Sequence, residues 1–531
     1  MYNEFTKIIS DEKVVFVIKK RAWWMFSLAF VMAFVAGCQS ILGVDMSKVL
    51  YNPDLKSYEG TTSISLALDY VPQTTRDEDH AEEQAMMQLF KNAKIVMRSV
   101  RVEDTNKMSM EGTIEVSKGS VPFQVSMNDE QLVVKLDGAG EPIVFRTLGM
   151  GGINKDTSGL NEEASKKLMQ SYDSIVDALM NYVVKQLPNP NTIDVQDATI
   201  EINSELLNLK HVTAEMKASE AADYVLQFLA NIIADKDGLN ALIDQLFDLI
   251  APIYTVQMEE DTTTAEQMLA DMKAEKTQIV DSILEMVTSA HDELDKNLKE
   301  DPEFALNATE LDPNSSLKVD LYVDEQFNTR KAKYELFLAP KANIAVNEEL
   351  KSIKVIIEEE KWNLNGPVVA NQIAVGPNAI IVDEDMRPRK MMRSMNAASL
   401  AYDILRNDLH MTRQTAAFVM VPYDIRIPSD PQPYIVNGTS MVPLRSAAAN
   451  FDAKVAWNSQ TKQVELFDEG KKIVMPHDSK SVYLDGNKKF LGMKVVNKNG
   501  VTYVPARATF KLIDAQVKWK AQTKEVVIQR K

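Results

Sequence analysis

Near its C-terminal end the 531-residue chain repeats itself without a gap. Asn437-Gly438 recurs as Asn499-Gly500, and Val442-Pro443-Leu444-Arg445 as Val504-Pro505-Ala506-Arg507. Asp452, Ala453, Val455 and Trp457 recur as Asp514, Ala515, Val517 and Trp519, and Gln460-Thr461-Lys462 as Gln522-Thr523-Lys524, always 62 residues apart. A gapless duplication constrains folding more tightly than any composition, because both copies must adopt the same local structure. The repeats span 437–467 and 499–529.

Each unit has a physical reading. Asn-Gly favours a tight hairpin turn, since glycine tolerates positive φ. Pro then Arg opens a short helix, where the missing N–H of proline costs nothing. A strand bearing the tryptophan follows, then a turn and a closing strand such as Val464–Phe467 or Glu525–Ile528. Trp457 and Trp519 are expected to be core anchors, because a buried indole removes a large apolar area from water. The alternative is that they stack on a ligand.

The run Pro433 to Arg445, its partner Asn499 to Arg507, and the Ala-x-Val-x-Trp strands resemble the copper amine oxidase N-terminal-like family, also called the stalk domain. The resemblance covers about 424–531 and rests on Pro443, Arg445, Trp457, Pro505, Arg507 and Trp519 as its structural repeat motif. The second copy departs from the family pattern at Ala506 and across Phe510 to Asp514. The resemblance implies no metal and no redox cofactor in this module, which in the oxidases is separate from the copper-bearing domain. The rest of the chain offers no replacement. Its five histidines (80, 211, 291, 410 and 477) are scattered, and Asn181-Tyr182 is followed by valine.

The single cysteine, Cys38, constrains the other end. Lys19, Lys20 and Arg21 precede an uncharged run, Ala22 to Gly37, about the length of a signal-peptide hydrophobic region and short for a membrane span. Val35-Ala36-Gly37-Cys38 resembles the lipobox of bacterial lipoproteins. That resemblance implies cleavage between Gly37 and Cys38, a diacylglyceryl group on the Cys38 thiol, and further acylation such as palmitate. An uncleaved N-terminal anchor is the other reading. With no second cysteine, the exported domains are held by ordinary cores and not by disulfides.

Residues 1–37 contain five basic and three acidic residues, so the remainder carries 54 Lys and Arg against 73 Asp and Glu, net −19. Such a charge repels phosphate backbones and speaks against a nucleic-acid partner. It suits a body tethered near an anionic membrane without lying on it.

Between these ends the pattern is α+β. Alternation at Ile64, Leu66 and Leu68 predicts a strand over 61–70. A short helix over 80–92 and strands at 94–103, 107–117, 121–127 and 131–136 predict an antiparallel meander. A Gly-rich joint (Gly149, Gly151, Gly152) leads to a helix over 161–187, strands at 192–203 and 206–217, and helices at 219–234, 238–250 and 263–299. Strands at 315–324, 331–339 and 350–360 close the segment. The expected organisation is a signal peptide (1–37), a lipidated tether (38–60) and an α+β ligand or partner domain (61–382). The last is readable as two related halves: antiparallel sheet packed with long helices. A linker with a helix at 395–407 (383–423) and the stalk domain (424–531) complete it.

No catalytic signature is present: there is no Gly-x-Ser-x-Gly elbow, His-Glu-x-x-His or phosphate-binding Gly-rich loop. No catalytic or metal-ligating residue and no cofactor is assigned. The acidic stretch Asp77 to Glu83 reads as a helix start stabilised by the helix dipole. The expectation is a non-enzymatic lipoprotein on the outer face of the cell membrane, its stalk domain contacting cell wall or an envelope protein. The alternative is a carrier whose α+β domain, rich in methionine, encloses a lipid or other apolar ligand.

Overall fold

The computed structural model describes residues 41–71, 78–146, 162–257, 270, 273–274, 276–301, 303–304, 311–341, 350–382, 388–420, 431–461, 463–521 and 523–530. The chain divides between Asp383 and Glu384 into two compact units. The lipobox residues Gly37 and Cys38, the Gly-rich joint and the expected start of the longest helix lie outside the described residues.

In the first unit β1 (Tyr58–Tyr70), β2 (Lys94–Val102), β3 (Met108–Val116), β4 (Gly119–Met127), β5 (Gln131–Leu136) and β6 (Ile143–Arg146) form a meander. Asp104 and Asn128 build the turns, their side-chain oxygens accepting from backbone N–H groups two or three residues on at 2.8–3.0 Å. β7 (Thr192–Ile202), β8 (Glu205–Lys217), β9 (Ser316–Val323), β10 (Thr329–Leu338) and β11 (Leu350–Trp362) form a second run. β1 pairs antiparallel with β11, so both runs belong to one sheet, whose far edge is closed by the parallel β12 (Ile380–Val382) beside β6. This is the α+β arrangement read from the alternation.

Register places one apolar row across nine strands: Ile193, Ala214, Val319, Tyr334, Ile357, Ile64, Ile95, Ile114 and Val121 are successive cross-strand partners. Directly opposed residues share a face, so the row marks one side of the sheet. The β7 edge curls back toward β11. Bending elsewhere is helped by a bulge at Arg98, opposite Gly112, where any Cβ would stand 2.1 Å from the Val96 carbonyl oxygen.

The apolar face is covered over β7–β10 by the segment from Ile41 through helix α1 (Met46–Leu50). Val44 and Met46, 2% and 1% exposed, pack among Val212, Leu317, Val319, Leu321 and Ala332. Asp45 caps α1 by accepting from the Ser47 N–H at 3.1 Å. Tyr51 donates a hydrogen bond to Asp177. This corrects the expected tether over 38–60: its described residues belong to the folded body, and β1 begins at Tyr58. The apolar pattern Ile41, Val44, Met46, Val49, Leu50 is too short to announce itself as an element.

Helix α2 (Glu78–Phe90) packs on β1. Helices α3 (Glu162–Gln186), α4 (Ala221–Ala234), α5 (Lys236–Gln257) and α6 (Lys276–Glu300) pack together: α3, α5 and α6 meet through Ala178, Leu239, Leu242 and Val280, and α4 lies against α6. Val184, Leu187 and Tyr224 meet Met216 at the end of β8, beside Leu50 and Tyr51.

The second unit opens with α7 (Pro388–Arg393), α8 (Leu400–Asp403), which continues as a wider turn over Ile404–Asp408, and β13 (Gln414–Val419). β13 pairs with the last strand, and Ala416 and Met420 are buried in the same core as the repeats. The segment expected as a linker over 383–423 therefore contributes a strand to this unit. The expected helix over 395–407 begins only at Leu400, where Ser399 caps it by accepting from the Tyr402 N–H at 3.2 Å.

Candidate functional site in the C-terminal repeats

Both copies fold alike. In the first, β14 (Tyr434–Val436) and β15 (Thr439–Pro443) form a hairpin, then α9 (Leu444–Ala449), β16 (Lys454–Asn458) and β17 (Gln463–Asp468) follow. β18 (Lys471–Pro476), β19 (Ser481–Leu484) and β20 (Asn487–Phe490) extend that sheet. In the second copy the order is β21 (Val496–Lys498), β22 (Val501–Pro505), α10 (Ala506–Phe510), β23 (Gln516–Lys520) and β24 (Glu525–Arg530). Asn437-Gly438 and Asn499-Gly500 all have positive φ, between 48° and 83°, as the hairpin reading requires. Asp452 and Asp514, also equivalent, end their helical segments at φ of 56° and 60°.

The copies meet at β15 and β22, where Val442 pairs with its own equivalent, Val504. A local twofold axis therefore passes through that pair. Leu444, Ala447, Ala448, Phe451, Val464 and Leu466 share one core with Ala506, Phe510, Ile513, Val526 and Ile528, and the Phe451 and Phe510 rings lie 5.5 Å apart. Asp468 and Arg530 are also equivalent positions, and they have diverged into a buried ion pair of 2.7 Å, each side chain 3% exposed. The Arg530 guanidinium donates in addition to the carbonyl oxygens of Phe451 and Ile513, again an equivalent pair, and to Gln414 on β13. One guanidinium thus ties both repeats and the preceding strand together.

The tryptophans are not core anchors. Trp457 is 52% exposed and Trp519 45%. Each stands opposite a buried valine, Val464 and Val526, so the alternation does turn it to the inner face. But β16 and β23 are edge strands, and the valines fill the core while the indoles overhang it.

Trp457 lines a groove of about 370 Å³ together with Pro443, Arg445, Ser446, Asn497, Gly500 and Thr502. The groove is built between the copies: the helix start and edge strand of the first, the hairpin of the second. Pro443 and Pro505 are buried at the strand ends, and Arg445 and Arg507, each two residues later, are exposed to solvent. Among the described residues neither arginine has an ion pair or side-chain hydrogen bond. The Asn497 side-chain oxygen accepts from the Gly500 N–H at 3.0 Å, leaving its NH₂ group available to the groove. His477 tilts against Trp457, ring centroids 5.6 Å apart.

Whole-chain charge conceals the electrostatics of this module. Residues 431–531 contain 17 Lys and Arg against 8 Asp and Glu, net +9, while the preceding 430 residues carry −26. Counting charge by module instead of over the chain would have revealed this in the sequence. Lys488, Lys489, Lys494 and Lys498 are exposed, and Lys498 lies 3.6 Å from the centroid of the Tyr434 ring.

The basic patch after Arg387 also has a partner. Arg389 and Arg393 both pair with Glu469, at 2.9 and 2.8 Å. Burial pushes the Glu469 carboxyl up, but Arg389 and Arg393 outweigh it and hold the group below its usual range. A depressed folded-state value means the carboxylate stabilises α7 fully above the unfolded value, near 4.3, and ceases to do so as pH falls through the folded one. Hydrogen-exchange protection at 388–393, taken relative to the intrinsic rate at each pH, is expected to be constant from pH 7 to about 5 and to fall below about 4. Glu469→Gln should flatten that acid limb. Because Glu469 is 32% exposed, the effect should stay under about 1 kcal/mol.

Among the described residues there is no group of His, Cys, Asp and Glu placed to hold a metal ion. No described helix is long and apolar enough to cross a membrane. No curated protein matches the chain. Residues 424–528, about a fifth of the chain, match the family model of the copper amine oxidase N-terminal domain.

Proposed function

We propose that the protein is a non-enzymatic, lipid-anchored protein of the cell envelope whose C-terminal module makes its contacts outside the membrane. The observation that carries this reading is the groove at Arg445 and Trp457: two exposed motif residues, the arginine without an ion pair or side-chain hydrogen bond among the described residues, held in the open by a two-repeat core. The basic charge of the module supports it, since an exposed cationic surface attracts the anionic polymers of an envelope. Anchoring is assigned to Cys38, after cleavage at Gly37, on the strength of the uncharged segment and the lipobox-like ending.

Two measurements test the reading. A fatty-acid analogue is expected to label the wild-type chain and not Cys38→Ala. The full chain is expected to sediment with envelope fragments, and failure to do so would remove the contact role. A carrier function in the first unit has one observation in its favour: over β1–β3 the apolar row at Ile64, Ile95 and Ile114 is only half-buried. Lipid recovered from organic extracts of the purified protein would move the assignment there.

A further inference from the structure

The groove combines features that different ligands would need separately. A bare polyanion needs cations but no exposed indole. A neutral sugar needs an aromatic face but no unpaired guanidinium. Here the indole of Trp457 and the guanidinium of Arg445 line one cavity, with the Asn497 amide and Thr502 across from them, on a module of net charge +9. The C–H face of a pyranose ring is apolar and slightly electropositive, which suits the negative face of an indole. A guanidinium offers paired N–H donors matched to a carboxylate or phosphate.

We propose that this groove binds an anionic polysaccharide, one sugar ring over Trp457 and its acidic substituent on Arg445. This names the ligand class of the envelope contact proposed above and rests on that reading. The local twofold axis sets Arg507 and Trp519 in the equivalent place on the second repeat. Ile435 stands there where the first groove has Asn497, so the two places are alike in the arginine and the indole only; a linear polymer that reaches both would make its second engagement intramolecular. The surrounding lysines add a salt-dependent attraction.

Affinity electrophoresis of the full chain in detergent tests this, with polygalacturonate, a phosphomannan, dextran or poly(dT) cast in the gel. Retardation is expected with polygalacturonate or phosphomannan, the stronger of the two identifying carboxylate or phosphate as the acidic group, and none with dextran. Trp457→Ala and Arg445→Gln should each weaken binding roughly tenfold, with Trp457→Phe retaining most of it. Trigalacturonate should bind at least tenfold more weakly than the polymer. Both side chains are exposed, so melting curves should not move, and Trp457→Phe controls for packing. Unchanged binding in Trp457→Ala and Arg445→Gln overturns the proposal, as does poly(dT) binding as tight as the glycan. If the chain sediments with envelope fragments yet ignores both acidic glycans, the ligand assignment falls while the contact role stands. If it does neither, both fall.

Discussion

Arg530→Met is expected to destabilise the C-terminal unit by about 3–5 kcal/mol, because it leaves the Asp468 carboxylate buried without its cation. The same change orphans the carbonyl oxygens of Phe451 and Ile513 and the side-chain oxygen of Gln414. The double variant Asp468→Leu/Arg530→Met should recover much of the loss, since well-packed apolar replacements of a buried pair are often nearly neutral. Denaturant unfolding measures this. Trp457 and Trp519 report the C-terminal unit and Trp362 the first, so the two transitions can be separated by fluorescence of single-tryptophan variants. A loss below about 1 kcal/mol for Arg530→Met would mean the pair behaves as a surface contact.

The second large effect belongs to the first unit. Met46→Ala should cost about 2–5 kcal/mol, the range for truncating a fully buried large side chain. Met46 is 1% exposed and seated among strands of the β7–β10 run, so the cavity it leaves is walled by sheet that cannot easily collapse. Met46→Lys should be worse, burying an unpaired charge. Limited proteolysis provides a second readout: loosening α1 should expose the chain near 41–51 to cleavage while the C-terminal unit stays intact. Resistance equal to wild type would show that the segment is an ornament on the sheet and not part of its core.

Sequence reasoning succeeded where a pattern was long enough to carry its own period. β8, expected over 206–217, is observed as Glu205–Lys217, and the helix expected over 161–187 as Glu162–Gln186. The 62-residue duplication marked both hairpins and both tryptophan strands. It could not say which strands lie at a sheet edge, and that alone decides whether Trp457 is enclosed or overhanging. Nor could it reveal that β13, read as linker, completes a sheet with β24 more than a hundred residues later. Pairings of that kind depend on the whole unit. The Asp468–Arg530 pair was hidden for a different reason: it is a place where the repeats differ, and a search for sameness passes over it.

The burial of Val44 and Met46 also bears on how the molecule would carry load. Three peptide steps separate Cys38 from Ile41, a reach of about 10 Å at full extension. If Cys38 holds the lipid, there is no slack leash between bilayer and body. Tension on the anchor would then be delivered within a few residues to α1, pulling Val44 and Met46 along the strands that grip them. The grip of the sheet on that plug, not the length of a linker, would set how far the protein can be drawn from the membrane before it begins to unfold.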